Sequence, residues 1–344
     1  MTARPPLLPL AAARRPLYAG VDLGGTNIKA ALVDDEGRIV AFHTEPTHAS
    51  RGPEDAATRM GRAVHALASM AGVAAHDIAG VGLGTPGPQD LRKGIIIRAG
   101  NLPGWDNFPI RDRVAAHCGH DVAYANDATA AAYGEYWVGS GRDHESLVLL
   151  TLGTGVGGGI IVDGNSIDGA HSHASECGHI IVDAADSARR CPCGQAGHLE
   201  AYTSATSLVA RAAEAIRAGG TGSLARAVAA GETLTPIVIS REAAAGDPLA
   251  IELLMETARW LAIGIVTLMH TLDPAAVIIG GAMTFGGEEA AVGKAFIDRI
   301  RAEVASRTLP LLAEKTVIRY ASPGGDAGSI GAAGLARRAR VHNK

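Results

Sequence analysis

Short runs of apolar residues, separated by glycine, proline or aspartate, recur along this chain. They predict buried strands at 17–21, 28–33, 38–43, 78–83, 121–125, 147–151, 160–162, 274–279 and 317–320. Apolar residues spaced three or four positions apart predict helices at 55–71, 128–135, 204–218 and 247–272, with a last helix of small residues from 327 onward. Strands that alternate with helices in this way indicate an α/β fold.

One strand–glycine turn–strand pattern occurs twice. Leu23-Gly24 and Val33-Asp34 in the first copy match Leu152-Gly153 and Val162-Asp163 in the second, both 129 positions later (152 − 23 and 162 − 33). The second turn is expected over 152–159. Each turn alone could be an ordinary hairpin turn. A glycine turn of this kind also exposes backbone N–H groups that can hold phosphate oxygens. A repeat of domain size implies two halves of like topology. We therefore expect the two-domain actin-like ATPase (ribonuclease H-like) fold with duplicated halves, in which nucleotide lies in the interdomain cleft.

Cysteine and histidine residues cluster in the second half of the chain. Cys191 and Cys193 are separated by one residue, His198 follows five residues after Cys193, and His179 precedes Cys191 by twelve. Two thiolates and two imidazoles in so short a span suit a tetrahedral zinc ion. The alternative is a glycine-rich loop with two incidental cysteines.

Composition narrows the class of protein. A length of 344 residues suits two domains, and 47% hydrophobic with 19% charged residues describes an ordered globular protein. The net charge of −4 (31 − 35) without a basic run gives no reason to expect nucleic-acid binding. Three of the four cysteines lie in one loop, which favours a reducing, cytoplasmic compartment over a disulfide framework. No apolar run reaches the roughly 18 residues of a membrane span.

Several motifs, taken in order, make this chain similar to the ROK family of sugar kinases, in particular to bacterial glucokinases. The resemblance covers residues 17–338 and rests on the motifs at 22–26, 101–105, 126–128, 152–157, 176–200 and 278–281. The family's loop normally ends in cysteine at the position of His198, so the resemblance implies Cys2His2 instead of Cys3His zinc ligation. Cys177 stands where the family usually has isoleucine, and we expect it to be a buried spectator.

The resemblance implies an ATP-dependent kinase that phosphorylates a hexose at its 6-hydroxyl, with glucose as the first candidate. Asp127 matches the family's catalytic base, whereas its place between a predicted strand and helix is equally that of an N-cap. Magnesium would accompany ATP near Asp22. The zinc would be structural, so its loss should disturb sugar binding and turnover more than ATP binding.

The expected ligands form three sets. The sugar-binding set consists of Gly87, Asn101, Asn126, Asp127, Glu176, His179 and Glu200. The nucleotide-binding set consists of Asp22, Gly24, Gly25, Thr26, Asn27, Lys29, Gly153, Thr154, Gly155, Gly280 and Gly281. The zinc set consists of His179, Cys191, Cys193 and His198. His179 belongs to two sets because its two ring nitrogens can bind zinc and sugar separately.

The expected organisation has four parts. Residues 1–16, with four prolines, form a disordered tail; 17–127 form an N-terminal α/β domain; 128–327 form a C-terminal α/β domain that carries the zinc loop 176–200; and the helix 328–344 completes the first domain. The resemblance implies a homodimer or homotetramer without nucleic-acid or membrane partners.

Two alternatives stay open at this stage. The substrate could be N-acetylglucosamine, N-acetylmannosamine, fructose or mannose, or polyphosphate could replace ATP, because these activities share their hydroxyl-binding residues. Other members of the family are sugar-responsive transcription regulators with a winged-helix domain ahead of the first glycine motif. We expect no such role here, since only 21 residues precede Asp22.

Overall fold

A computed structural model of the protein describes residues 6–99, 102–322 and 324–342. Its strands are β1 (Leu17–Leu23), β2 (Asn27–Val33), β3 (Ile39–Pro46), β4 (Ile78–Thr85), β5 (Gln89–Asp90), β6 (Ile95–Ile96), β7 (Val122–Asn126), β8 (Ser146–Leu152), β9 (Val156–Val162), β10 (Asn165–Ser166), β11 (Ala276–Gly281) and β12 (Val317–Tyr320). Its α-helices are α1 (Pro53–Ala71), α2 (Ile110–Cys118), α3 (Asp127–Trp137), α4 (Glu200–Thr203), α5 (Ala205–Arg217), α6 (Ser223–Ala229), α7 (Pro236–Ala244), α8 (Pro248–Leu272), α9 (Ala291–Ala305), α10 (Pro310–Lys315) and α11 (Ala327–His342).

Two five-stranded sheets follow the same plan. The first has the order β3-β2-β1-β4-β7 and the second β10-β9-β8-β11-β12. In the first, β1–β2 and β2–β3 are antiparallel while β1–β4 and β4–β7 are parallel. In the second, β9–β10 is antiparallel while β8–β11 and β11–β12 are parallel. Each strand of one sheet therefore has a counterpart in the other, as the internal repeat predicts.

The contacts divide the chain into two compact units. The first comprises Met1–Ser146, Gly159–Ser175 and Ser322–Lys344, and the second comprises Leu147–Gly158 and Glu176–Ala321. This division differs from the expected boundary after residue 127, because α3 packs against α11 and β4 and so stays with the first unit. In the described part of the chain, no helix is both long and apolar enough to cross a bilayer.

The first sheet is covered on both faces, which explains its continuous apolar runs. Helix α1 contacts β2 and β3, while α11 contacts β1 and β4. A Cβ atom on Gly20 would lie 1.9 Å from the carbonyl oxygen of Ser329, and one on Gly82 would lie 1.8 Å from that of Ala332. Glycine at these strand positions therefore lets α11 approach the sheet closely.

Two sequence expectations differ from the structure. In the expected disordered tail, the amide of Leu8 donates to the carbonyl of Ile39 at 2.8 Å and that of Arg14 donates to Asp34 at 3.0 Å, so this segment is bonded to the hairpin of β2 and β3. Residues 1–5 lie outside the described residues. The second glycine turn is shorter than expected, because β9 begins at Val156. A Cβ on Gly159 would lie 2.4 Å from that of Ala132, so this glycine serves helix packing and not the turn.

Candidate functional site

The first glycine turn, Gly24–Thr26, joins β1 to β2. The amide of Gly24 donates to the carbonyl of Asn27 at 2.9 Å and closes the turn. Thr47 holds it from outside: its hydroxyl donates to Gly24 at 2.6 Å and its amide to Thr26 at 2.8 Å. Within the part of the chain that the structure describes, the exposed amides of Gly25 and Thr26 donate to no protein acceptor. They are available to an anion.

Two carboxylates of the first unit, Asp22 and Asp127, lie near the ends of β1 and β7, the two strands that flank β4. A Cβ on Gly84 would be 3.5 Å from the Cα of Asp127 and 3.9 Å from Oδ1 of Asp22. Burial, followed by the charge of Asp127, raises the pKa of Asp22 to about 7, with Lys29 opposing the shift. Lys29, paired with Asp22 across β1–β2, donates to the carbonyl of Gly325 at 2.5 Å. A bound cation would favour the ionised form of Asp22.

Asp127 is the first residue of α3, and the N-cap is Asn126. Asn126 has extended backbone angles (φ −66°, ψ 148°), and its Oδ1 accepts from the amide of Ala128 at 2.9 Å. Oδ1 of Asp127 accepts from the same amide at 2.8 Å. The alternative interpretation of Asp127 as the N-cap is therefore wrong. The positive end of the α3 dipole favours the ionised carboxylate.

The loop after β4 brings two more of the expected sugar ligands together. A Cβ on Gly87 would be 3.4 Å from Nδ2 of Asn126. Sequence reasoning missed Gln89, which is buried and whose Oε1 accepts from the hydroxyls of Thr85 and Tyr124, both at 3.1 Å. These bonds anchor the loop. The remaining sugar ligand expected in this half, Asn101, lies outside the described residues.

The second glycine turn, Gly153–Gly155, joins β8 to β9. The amide of Gly153 donates to the carbonyl of Gly155 at 3.0 Å. The start of α5 holds the turn, because the amide of Ala205 donates to Gly153 at 2.8 Å and the hydroxyl of Thr206 donates to Thr154 at 2.9 Å. Among the described residues, the amides of Thr154 and Gly155 have no protein acceptor, so they too are available to an anion.

The expected zinc ligands converge in the second unit. The ligand atoms of His179, Cys191, Cys193 and His198 all lie within 4.8 Å of one another. Nδ1 of His198 is 3.2 Å from Nδ1 of His179 and 3.2 Å from Sγ of Cys193, and Sγ of Cys191 is 3.9 Å from Nδ1 of His179. Around a tetrahedral zinc, with bonds of roughly 2.0–2.3 Å, neighbouring ligand atoms are roughly 3.3–3.8 Å apart. The four residues therefore fit a zinc ion.

The protonation of the cluster also suits a metal. Burial lowers the pKa of His198, and the charge of His179 lowers it further, so the ring is neutral and keeps a nitrogen lone pair. Burial raises the pKa of the Cys191 thiol to about 12, so a cation is needed to ionise it. Cys177 is buried and does not belong to the cluster.

The two glutamates of this loop have different surroundings. Oε2 of Glu176 is 3.9 Å from Nε2 of His179, beside the cluster. Oε2 of Glu200 accepts from the amide of Val156 at 2.8 Å, and its Oε1 is 3.4 Å from Sγ of Cys191. The structure thus gives Glu200 a backbone partner 44 residues away that the sequence does not suggest.

The glycine pair at the end of β11 has a structural reason of its own. Gly281 has φ +90°, and a Cβ there would lie 2.3 Å from the carbonyl oxygen of Leu152. A Cβ on Gly280 would lie 3.2 Å from the Cβ of Ala321. The close approach of β11 to β8 therefore requires glycine at 281, and a role in holding adenosine stays a prediction.

Known proteins resemble this chain over nearly its whole length. The sequence model of the ROK family matches residues 18–339. A glucokinase from Halalkalibacterium halodurans is 34% identical over 321 residues, which cover 93% of this chain and 95% of the relative. The match confirms the predicted family resemblance.

Solved structures agree with these sequence matches. A ROK hexokinase from Thermus thermophilus superposes with a TM-score of 0.79 at 31% identity, covering 95% of this chain and 100% of that one. A ROK family glucokinase from Streptomyces griseus, in complex with glucose and AMPPNP, superposes with a TM-score of 0.74 at 33% identity, covering 94% of this chain and 99% of that one. The predicted actin-like ATPase fold is confirmed.

Proposed function

The chain belongs to the ROK family, and on this premise we propose that it is a glucokinase, which transfers the γ-phosphoryl group of ATP to the 6-hydroxyl of glucose. The observation that carries the proposal is the pairing, within the first unit, of a glycine turn with free amides and a helix-bound carboxylate, Asp127. Glucokinases of 34% and 33% identity that match at least 93% of the chain support it.

Asp127 is the proposed general base. Its Oδ1 accepts from Ala128, which fixes the carboxylate at the start of α3. The carboxylate accepts the proton of the sugar 6-hydroxyl as that oxygen attacks the γ-phosphorus, and the bond from phosphorus to the β,γ-bridging oxygen breaks to release ADP. Asn126, Gly87 and Asn101 are the proposed sugar contacts from the first unit, and Glu176, His179 and Glu200 are those from the second.

The two glycine turns are the proposed phosphate sites. Backbone amides at 25, 26, 154 and 155 are free to donate to phosphate oxygens. Magnesium, which neutralises phosphate charge when bound with ATP, would be held near Asp22, and its charge would favour the ionised form of this buried carboxylate. Gly280 and Gly281 remain the proposed neighbours of the adenosine.

The cysteine–histidine cluster is the proposed structural zinc site. His179, Cys191, Cys193 and His198 would hold the metal, which supplies order to residues 176–200 and takes no part in phosphoryl transfer. We further propose a cytoplasmic homodimer or homotetramer that binds neither nucleic acid nor membrane. The family resemblance and the free cysteines support this part of the proposal.

A panel of sugars and donors tests the proposed activity. Initial rates would be measured for glucose, N-acetylglucosamine, N-acetylmannosamine, fructose and mannose, each with ATP and with polyphosphate. We expect the highest kcat/KM for glucose with ATP. A higher value for another sugar, or for polyphosphate, would assign the protein to a different kinase specificity, and no turnover of any sugar would contradict the kinase activity itself.

A further inference from the structure

One short segment of the second unit contacts both the cysteine–histidine cluster and the glycine turn Gly153–Gly155. It begins at His198, a member of the cluster, and continues through α4 to the start of α5. Three residues of the segment bond to the turn or to the residue after it: Glu200 to Val156, Ala205 to Gly153 and Thr206 to Thr154. The backbones of Gly153, Thr154 and Val156 thus each form a hydrogen bond with this segment.

Glu200 is the central member of the segment. Its Oε2 accepts the amide of Val156, a residue only 6% exposed, so loss of the carboxylate would leave a buried donor without a partner. The same oxygen lies against Gly155, where a Cβ would approach it to 2.4 Å. Its other oxygen accepts from the Cys191 thiol at 3.4 Å, and when zinc ionises that thiol Glu200 remains joined to the cluster through Leu199 and His198. One carboxylate therefore contacts the turn and the cluster at once.

The part of the loop around His179 also contacts Val156, the residue that follows the turn. A Cβ on Gly178, the neighbour of His179, would lie 2.2 Å from the carbonyl oxygen of Val156. The amide of Leu199 donates to the carbonyl of Ile180 at 2.9 Å, which ties the two sides of the loop together. Val156 is therefore held between the two histidine-bearing parts of the loop.

We propose that Glu200 is a positioning residue of the nucleotide site, which holds the turn Gly153–Gly155 in the shape that binds phosphate and links it to the cluster. The inference rests on the proposed function, because that function assigns phosphate to the turn. Amides held in place before binding lose less entropy when they bind phosphate. Order in the cluster therefore raises nucleotide affinity, an effect beyond the sugar alignment expected from the sequence.

Calorimetry of the full-length, zinc-loaded protein with magnesium and AMPPNP, without sugar, tests this role. Glu200→Ala should weaken binding by ~10-fold or more, because a hydrogen bond to a charged group is lost. Thr206→Val should weaken it by ~3-fold. Thr271→Val is the matched control, since the Thr271 hydroxyl donates within α8, to the carbonyl of Thr267, at 2.7 Å. We expect its nucleotide affinity to equal that of the wild type.

Two further arms separate positioning from general damage. Glu200→Gln keeps an oxygen that can accept from Val156 and should recover most of the nucleotide affinity that Glu200→Ala loses. Wild-type protein freed of zinc by a chelator should bind AMPPNP ~3-fold or more weakly. Thermal unfolding of each variant verifies that it is folded. If Glu200→Ala does not fold, Thr206→Val still tests the proposal, because Thr206 is exposed and its substitution should not disturb the core.

The outcomes distinguish this inference from the proposed function. If wild type phosphorylates glucose but Glu200→Ala and Thr206→Val bind AMPPNP as tightly as wild type, the positioning role is wrong and the function stands. An unchanged affinity after zinc removal would overturn the link to the cluster. Wild-type protein that binds no AMPPNP would overturn the proposed function and this inference with it.

Discussion

The two glycine turns, Gly24–Thr26 and Gly153–Gly155, have similar sequences and equivalent places in their sheets, yet they are held differently. A single residue, Thr47, bonds to both ends of the first turn. The second turn accepts hydrogen bonds from Ala205 and Thr206, and Glu200 accepts one from Val156, the residue after the turn. The closing bond of the first turn spans Gly24 to Asn27, whereas that of the second spans Gly153 to Gly155 and is one residue shorter.

The difference indicates a division of work within a duplicated fold. Asp22 lies two residues before the first turn, and both Asp22 and Asp127 lie close to Gly84 of β4; to these charged groups we assign magnesium and the base. Next to the second turn lies the cluster that we assign to zinc. The strand–turn–strand frame is the same in both halves, but the surroundings differ, with carboxylates near the first turn and the cysteine–histidine cluster near the second.

Asp127→Asn gives the largest expected effect and tests the assignment of chemistry to the first unit. Turnover should fall by at least ~10²-fold, the usual scale for loss of a general base. Fold and ligand affinities should change little, because Asn126 remains the N-cap and asparagine can still accept from Ala128. Steady-state kinetics and calorimetry measure both. A variant that keeps more than about a tenth of wild-type kcat would exclude Asp127 as the base.

Substitutions at His198 test the second unit. His198→Ala should lose zinc, raise the glucose KM by ~10-fold or more and lower kcat, with a smaller loss of nucleotide affinity. The matched variant His198→Cys restores the family's ligand set and should retain metal. Elemental analysis beside kinetics measures these effects. Stoichiometric zinc in His198→Ala, or full activity of zinc-free wild type, would contradict the assignment.

Alanine at Gly153 sharpens the comparison, because a Cβ there would meet nothing within 4 Å. Gly153→Ala should leave the melting temperature unchanged and weaken ATP binding by ~10-fold, since the backbone can no longer approach phosphate closely. Gly155→Ala is a less specific probe, as its Cβ would also displace Glu200. Calorimetry with ATP analogue and with glucose separates the two ligands. A change confined to glucose affinity would mean that phosphate does not bind this turn.

Thr47→Val should have the smallest effect. Thr47 is fully buried, and valine leaves the carbonyl of Gly24 without its donor, which should cost about 1 kcal/mol of unfolding free energy. Nucleotide affinity should fall by ~3-fold, and zinc content should not change. Chemical denaturation and calorimetry provide the measurements. An affinity loss that depends on zinc would show that the two turns are not held independently.

Local patterns predicted most of the fold. Strands β1 and β12 and helices α1 and α8 lie within two residues of their predicted bounds at each end. Helices α2, α4, α6, α7, α9 and α10 were not predicted. Gly159 was wrongly assigned to a turn. It lies in β9, and glycine is needed there because Ala132 of α3 packs against it, a contact that no local sequence pattern reveals.

The same limit applies to the candidate site. The four zinc ligands lie within 20 residues of sequence (179–198) and could be predicted from their types and spacing. The bond from Glu200 to Val156 joins residues 44 positions apart, and the buried Gln89 lies 35 positions from its partner Tyr124. Such partners depend on how the elements fold back on one another, so sequence patterns could not reveal them.

A competition between two sugars for limiting ATP tests most directly the central claim that the protein phosphorylates glucose at its 6-hydroxyl. Purified zinc-loaded protein would receive equal amounts of glucose and N-acetylglucosamine with limiting ATP and magnesium, and NMR would identify which sugar, and which oxygen, carries the phosphate. The account predicts glucose 6-phosphate as the main product. A predominance of phosphorylated N-acetylglucosamine, or phosphate on another hydroxyl of glucose, would contradict it.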